Sequence, residues 1–125
     1  MTLADTSVWI AHFREGSSGL AVLLNEGSVL VHPFIIGELA CGNFRDRTSI
    51  LNDLQSLPAA VTATHEEVLH LIEQRKLWLA GIGWTDAHLL ASALLSNCRL
   101  WTLDLSLVRA ATRTGVESYR ASRHE

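Results

Sequence analysis

Three of the five aspartates in this chain fall where one element ends and the next begins. Asp5 follows Leu3-Ala4 and precedes Val8-Trp9-Ile10, Asp104 follows Arg99 to Leu103, and Asp86 opens the run from Ala87 to Leu95. In a parallel sheet, a strand-to-helix junction lies at the carboxyl edge, where ligands bind. A fourth carboxylate, Glu38, interrupts Phe34-Ile35-Ile36-Gly37-Glu38-Leu39-Ala40. Buried in so apolar a helix and unpartnered, it would cost roughly several kcal/mol, so a compensating partner is expected. Gly42, four residues on and on the same face, leaves room beside it. Any one of the three aspartates taken alone reads as a helix N-cap, a common role for Asp. The set asks for more. Converging carboxylates raise one another's pKa, and a divalent cation removes that conflict. An all-oxygen set suits Mg²⁺ or Mn²⁺, whereas zinc more often recruits His or Cys. Such an ion acidifies a bound water and stabilises charge on a phosphoryl group. The chemistry that follows is phosphodiester hydrolysis with water as nucleophile.

The elements that must position these residues alternate, which predicts an α/β fold with a short parallel sheet flanked by helices. Strands are expected at Leu3-Ala4, Ser28 to Val31, Ala60 to Thr62 and Arg99 to Leu103. Thr6 and Ser7 are expected to cap a first helix, and a second lies around Leu20 to Asn25. Pro33 suits the first turn of a helix to about Cys41. Another covers Thr48 to Leu57 and stops at Pro58. Thr64 and Glu67 have capping-box spacing and open a helix to about Leu79. Thr85 caps a helix from Asp86 to about Ser96, apolar nearly all round and therefore buried. The last helix spans about Leu105 to Thr114 and ends at Gly115.

The chain has 125 residues, 48% hydrophobic and 18% charged. That fits one compact domain over 1–125 with a real core and excludes a disordered chain. The longest strictly apolar run, Leu20 to Leu24, is far short of the about 20 residues a membrane helix needs. The chain does not open on a basic segment followed by an apolar one, so no secretory signal is expected. Cys41 and Cys98 give neither metal spacing nor a disulfide framework, which points to the cytoplasm. A net charge of -3 argues against gripping nucleic acid by bulk charge alone.

In order and spacing, the motifs resemble those of PIN-domain nucleases. Asp5-Thr6-Ser7-Val8-Trp9-Ile10 looks like the opening motif, and Glu38-Leu39-Ala40-Cys41-Gly42 matches a Glu-x-x-x-Gly element. Gly83-Trp84-Thr85-Asp86 resembles the Gly-x-x-Asp helix start, and Thr102-Leu103-Asp104 the Thr-x-Asp strand end. The resemblance covers nearly the whole chain, and its small single-domain form is similar to VapC-type toxins of bacterial toxin–antitoxin pairs. It implies a single PIN-like domain, an Mg²⁺-dependent endoribonuclease acting on RNA, a homodimer, and a cognate antitoxin that blocks the site. Asp5, Glu38, Asp86 and Asp104 carry over as the catalytic and metal-binding quartet, with Ser7 and Thr102 as candidates to orient ligands or water. Many relatives place a second acid two positions after the last motif Asp, then an aromatic; here these are Ser106 and Leu107.

Nine of the ten basic residues are Arg. Arg14, Arg45, Arg47, Arg109 and Arg113 are candidate phosphate contacts, since the guanidinium fork binds two oxygens, or simply solvated charges. Trp84 could stack on a base but is expected to pack at the core or rim; Trp9, Trp78 and Trp101 are expected in the core. His12, His32, His65, His70, His88 and His124 show no ligand spacing. Three rival readings share some of these features. A response-regulator receiver needs a lysine at a late strand end, whereas the only lysine, Lys76, falls inside a predicted helix. A non-catalytic PIN-like partner-binding module is disfavoured by the intact quartet. A PIN-family nuclease of RNA maturation shares every residue with a toxin.

Overall fold

The central strand, β1 (Thr2–Ala4), is buried at every position, as a strand covered on both faces must be. β2 (Val29–Leu30) and β3 (Arg99–Trp101) flank it in the order β2-β1-β3, and both pairings are parallel. Parallel neighbours require crossover connections, and helices provide them. The helices are α1 (Thr6–Glu15), α2 (Ser18–Asn25), α3 (Pro33–Ala40), α4 (Arg47–Gln55), α5 (His65–Arg75), α6 (Trp84–Ser96) and α7 (Leu105–Thr114), of which α1 to α6 lie between strands. This computed structural model describes residues 1–120; His124 lies outside the described residues. Among them no helix is long and apolar enough to cross a membrane.

The expected α/β arrangement is the one observed. Leu3, Leu20, Ile35, Leu90, Leu100 and Leu107 expose no surface, and each such burial stabilises the fold by about 1.5–3 kcal/mol. α6 runs through the middle of this core, with every residue from Ala87 to Ala93 buried, as its composition requires. The capping box on α5 is present in both directions, between Thr64 and Glu67.

Four expectations are corrected. The segment from Ala60 to Thr62 is not a strand; only an isolated parallel bridge joins Val31 to Ala59. Hydroxyls of α6 take over the next backbone donors, Ser96 Oγ accepting from Val61 N–H (2.8 Å) and Ser92 Oγ from Ala63 N–H (3.4 Å). The helix opened by Thr64 does not reach Leu79. Lys76 adopts a left-handed conformation (φ 53°), and a 3-10 turn follows at Leu77–Leu79. With three residues per turn, only one side chain in three points inward. Leu77 takes that place, so Trp78 is 58% exposed and not a core residue. Trp9 and Trp101 are buried as expected. Finally, Asp5, not Thr6 or Ser7, caps α1, and Gly83, not Thr85, stands at the N-cap of α6.

Candidate functional site

β1 and β3 finish side by side, since the Asp5 N–H donates to the Trp101 carbonyl (2.9 Å). Asp5 is buried (7% exposed), and hydroxyls satisfy both of its oxygens. Ser7 Oγ donates to Oδ1 and Thr102 Oγ1 to Oδ2, each at 2.5 Å. The Val8 N–H adds a third donor to Oδ1 (3.3 Å). Hydrogen bonding to the ionised form is what makes a buried carboxylate tolerable. The same two hydroxyls tie down the loop after β3. Ser7 Oγ accepts from Leu103 N–H and Thr102 Oγ1 from Asp104 N–H, both at 3.1 Å. Asp104 in turn accepts from Ser106 N–H (2.9 Å) and caps α7. Capping and membership of the acidic group therefore coincide in Asp5 and Asp104.

Asp86 lies in the first turn of α6. Burial pushes its carboxyl above the usual Asp range. Asp104 and Asp5 push it further, Gly83's backbone hydrogen bond opposes them, and Glu38 adds to the rise. The other three predicted carboxylates thus lie close enough to act on Asp86. Among the described residues no three His, Cys, Asp or Glu side chains are already gathered as a closed ligand set.

Glu38 is not buried as its apolar surroundings suggested; it is exposed. α3 buries Ile35 and Leu39 instead, which leaves Glu38 on the open side, where Thr6 Oγ1 donates to its Oε2 (3.0 Å). The compensation expected for a buried charge is therefore not required. Gly42 does lie beside it. A cavity of about 400 Å³ is lined by Glu38 and Gly42 together with Arg14, Arg45, Phe13 and Phe44. A Cβ at Gly42 would meet only Leu39 O at 3.4 Å, so steric exclusion does not explain this glycine. Arg47 donates to the carbonyls of Ala40 and Gly42, closing the end of α3. Arg109 and Arg113 are exposed on α7.

Beyond Asp86, α6 turns an aromatic face towards α3 and α5. His88 packs on Phe34 (ring centroids 4.6 Å) and Trp84 (4.7 Å), and Trp84 packs on His65 (5.0 Å). Trp84 is a rim residue, 39% exposed. The sequence reading missed His32, which is fully buried and caps α3. Its Nδ1 accepts from Phe34 N–H (3.0 Å), which leaves Nε2 to donate to Ser92 Oγ (3.1 Å). The available signal was a His directly before the Pro that begins a helix. Burial, with the charge of His88 secondary, lowers His32 from 6.5 to about 4.

Asp86 makes a stability prediction. Its raised pKa means that the unfolded chain ionises first, so this contribution to stability falls as pH rises from the ordinary Asp value through the raised one. The penalty is complete at neutral pH. Asp86→Asn in EDTA is therefore expected to resist urea better than the parent at neutral pH and to match it in strong acid. A variant that is weaker at neutral pH would contradict the penalty that burial and the neighbouring carboxylates place on the Asp86 charge.

The family model of the PIN domain matches residues 2–112. A curated protein called Ribonuclease VapC32, from two strains of Mycobacterium tuberculosis, is 44% identical over 117 residues, 93% of this chain and 94% of that protein. Among solved structures, VapBC-1 from nontypeable Haemophilus influenzae is similar with a TM-score of 0.70 at 16% identity, over 94% of this chain and 96% of that one. PAE2754 from Pyrobaculum aerophilum is similar with a TM-score of 0.57 at 19% identity, over 86% and 77%. At these identities the two structures are alike in fold.

Proposed function

The chain belongs to the PIN domain family, and we propose that it is an Mg²⁺-dependent endoribonuclease serving as the toxin of a toxin–antitoxin pair. The observation that carries the reading is the joined ends of β1 and β3, where buried Asp5 is held on both oxygens by Ser7 and Thr102 and Thr102 also holds the Asp104 backbone; beside them, burial and then Asp104, Asp5 and Glu38 push the Asp86 carboxyl up. A site built from mutually repelling oxygens fits a hard divalent cation. Asp5, Glu38, Asp86 and Asp104 would hold Mg²⁺, or Mn²⁺ in its place. When bound, the ion supplies an acidified water and neutralises charge on the phosphoryl group.

The chain's own residues do the rest. Ser7 and Thr102 fix both oxygens of Asp5, so this ligand needs no reorganisation as charge develops. They also hold the Leu103–Asp104 backbone, which sets where Asp104 stands. Arg14 and Arg45 line the cavity beside Glu38 and are suited to the phosphates that flank a scissile bond. The identity to a protein named as a ribonuclease supports RNA as substrate. A cognate antitoxin, a homodimeric state and a cytoplasmic location complete the proposal.

The test is purified, antitoxin-free protein on a total bacterial RNA pool, with Mg²⁺ and with EDTA. Discrete cuts that require the ion are the expected result, and the fragments would identify the target. A folded, ion-binding protein that leaves every RNA intact would point to a partner-binding module instead.

A further inference from the structure

Glu38 differs from the other carboxylates. Asp5 and Asp104 are tied down by bonds around their own helix starts, and Asp86 sits in the first turn of α6. Glu38 is exposed on a longer side chain with more rotamer freedom to lose. Its bond from Thr6 reaches across 32 residues of sequence. From this contact, and resting on the metal-site reading above, we propose that Thr6 is the positioning residue that holds Glu38 for the ion.

Three observations support it. First, the N-cap of α1 is filled by Asp5, whose side chain accepts from Val8 N–H, so the Thr6 hydroxyl is not needed for capping. Second, Thr6 is the first residue of α1. A mid-helix Thr can turn its hydroxyl back to a carbonyl of the preceding turn, but no helical turn precedes Thr6. Third, the point from which it reaches is rigid, because its neighbour Asp5 is held by Ser7, Val8 and Thr102. Thr6 thus links the most constrained carboxylate to the least constrained one. Its hydroxyl donates to one oxygen, Oε2, and a carboxylate's other lone pairs remain open to a cation.

The experiment is calorimetric titration of Mn²⁺ into the 125-residue chain and into Thr6→Val, Thr6→Ser, Glu38→Ala and the double variant Thr6→Val/Glu38→Ala. Thr6→Val keeps the shape and removes the donor. It should weaken Mn²⁺ binding about tenfold, the low end for a hydrogen bond to a charged group, while Thr6→Ser binds like the parent. In the Glu38→Ala background the same substitution should have no further effect. Thr6→Ala repeats the comparison should valine disturb the start of α1. Unchanged binding in Thr6→Val, or a loss that persists without Glu38, overturns the role of Thr6 alone. A parent chain that binds no ion overturns it together with the metal-site reading.

Discussion

Asp5→Asn and Asp86→Asn are each expected to lower the proposed Mg²⁺-dependent RNA cleavage by about a thousandfold or more, equivalent to about 4 kcal/mol in the barrier. The size follows from what a carboxylate ligand does in such a site: it helps to hold the ion and sets its position. The amide is isosteric, so packing is preserved. Asn caps helices about as well as Asp, so α1 keeps its start when Asp5 is replaced. The hydroxyls of Ser7 and Thr102 can rotate to meet the amide, which confines the damage to the charge. The check is single-turnover cleavage beside circular dichroism and melting. Full activity in either variant would remove the basis for the proposed mechanism. Loss of activity together with loss of the fold would show instead that the carboxylate is structural.

The second large effect is on acid stability and originates at His32. Its Nδ1 accepts the Phe34 N–H, so a proton there would set two donors face to face. Burial, then the charge of His88, lowers its pKa to about 4 from 6.5. A depressed basic group is neutral in the fold while the unfolded chain takes up its proton. The contribution is therefore complete above the ordinary value and is lost as pH falls towards the depressed one. Over that window the loss is about 3 kcal/mol. His88, lowered by burial and then by His65, acts in the same direction. Urea unfolding near about pH 7.5 and about pH 4.5 should reveal the drop. His32→Asn, which retains a capping acceptor but cannot take up a proton, should flatten most of it. An equally steep loss in that variant would assign the acid sensitivity to other groups.

Much of this was legible in the chain, for reasons that are local. Asp5 and Asp104 are recognisable because a strand end followed by a helix start is written in neighbouring residues, and Asp is at home in both roles. The Thr64–Glu67 capping box and the Gly115 stop are equally local. So is the burial of α6, which its uniform composition demands. The failures share a different origin. Glu38 looked buried because its neighbours are apolar, but exposure is decided by which face of α3 meets the core, and Ile35 and Leu39 took that face. Trp78 looked like core by residue type, but a left-handed Lys76 changed the helical period and turned it outward. The strand expected from Ala60 to Thr62 was lost to Ser92 and Ser96, side chains some thirty residues away on α6.

By itself, then, the sequence determined the class of fold and most of the order of strands and helices, because each of these depends on periodicity, caps and spacing within a few positions. Tertiary structure alone decided that hydroxyls from two different junctions hold both oxygens of Asp5, that Thr6 reaches Glu38, and that a neutral His32 joins α3 to α6. All but the Ser7 bond join residues far apart in the chain. Their existence depends on how elements pack, and no short-range pattern carries that information.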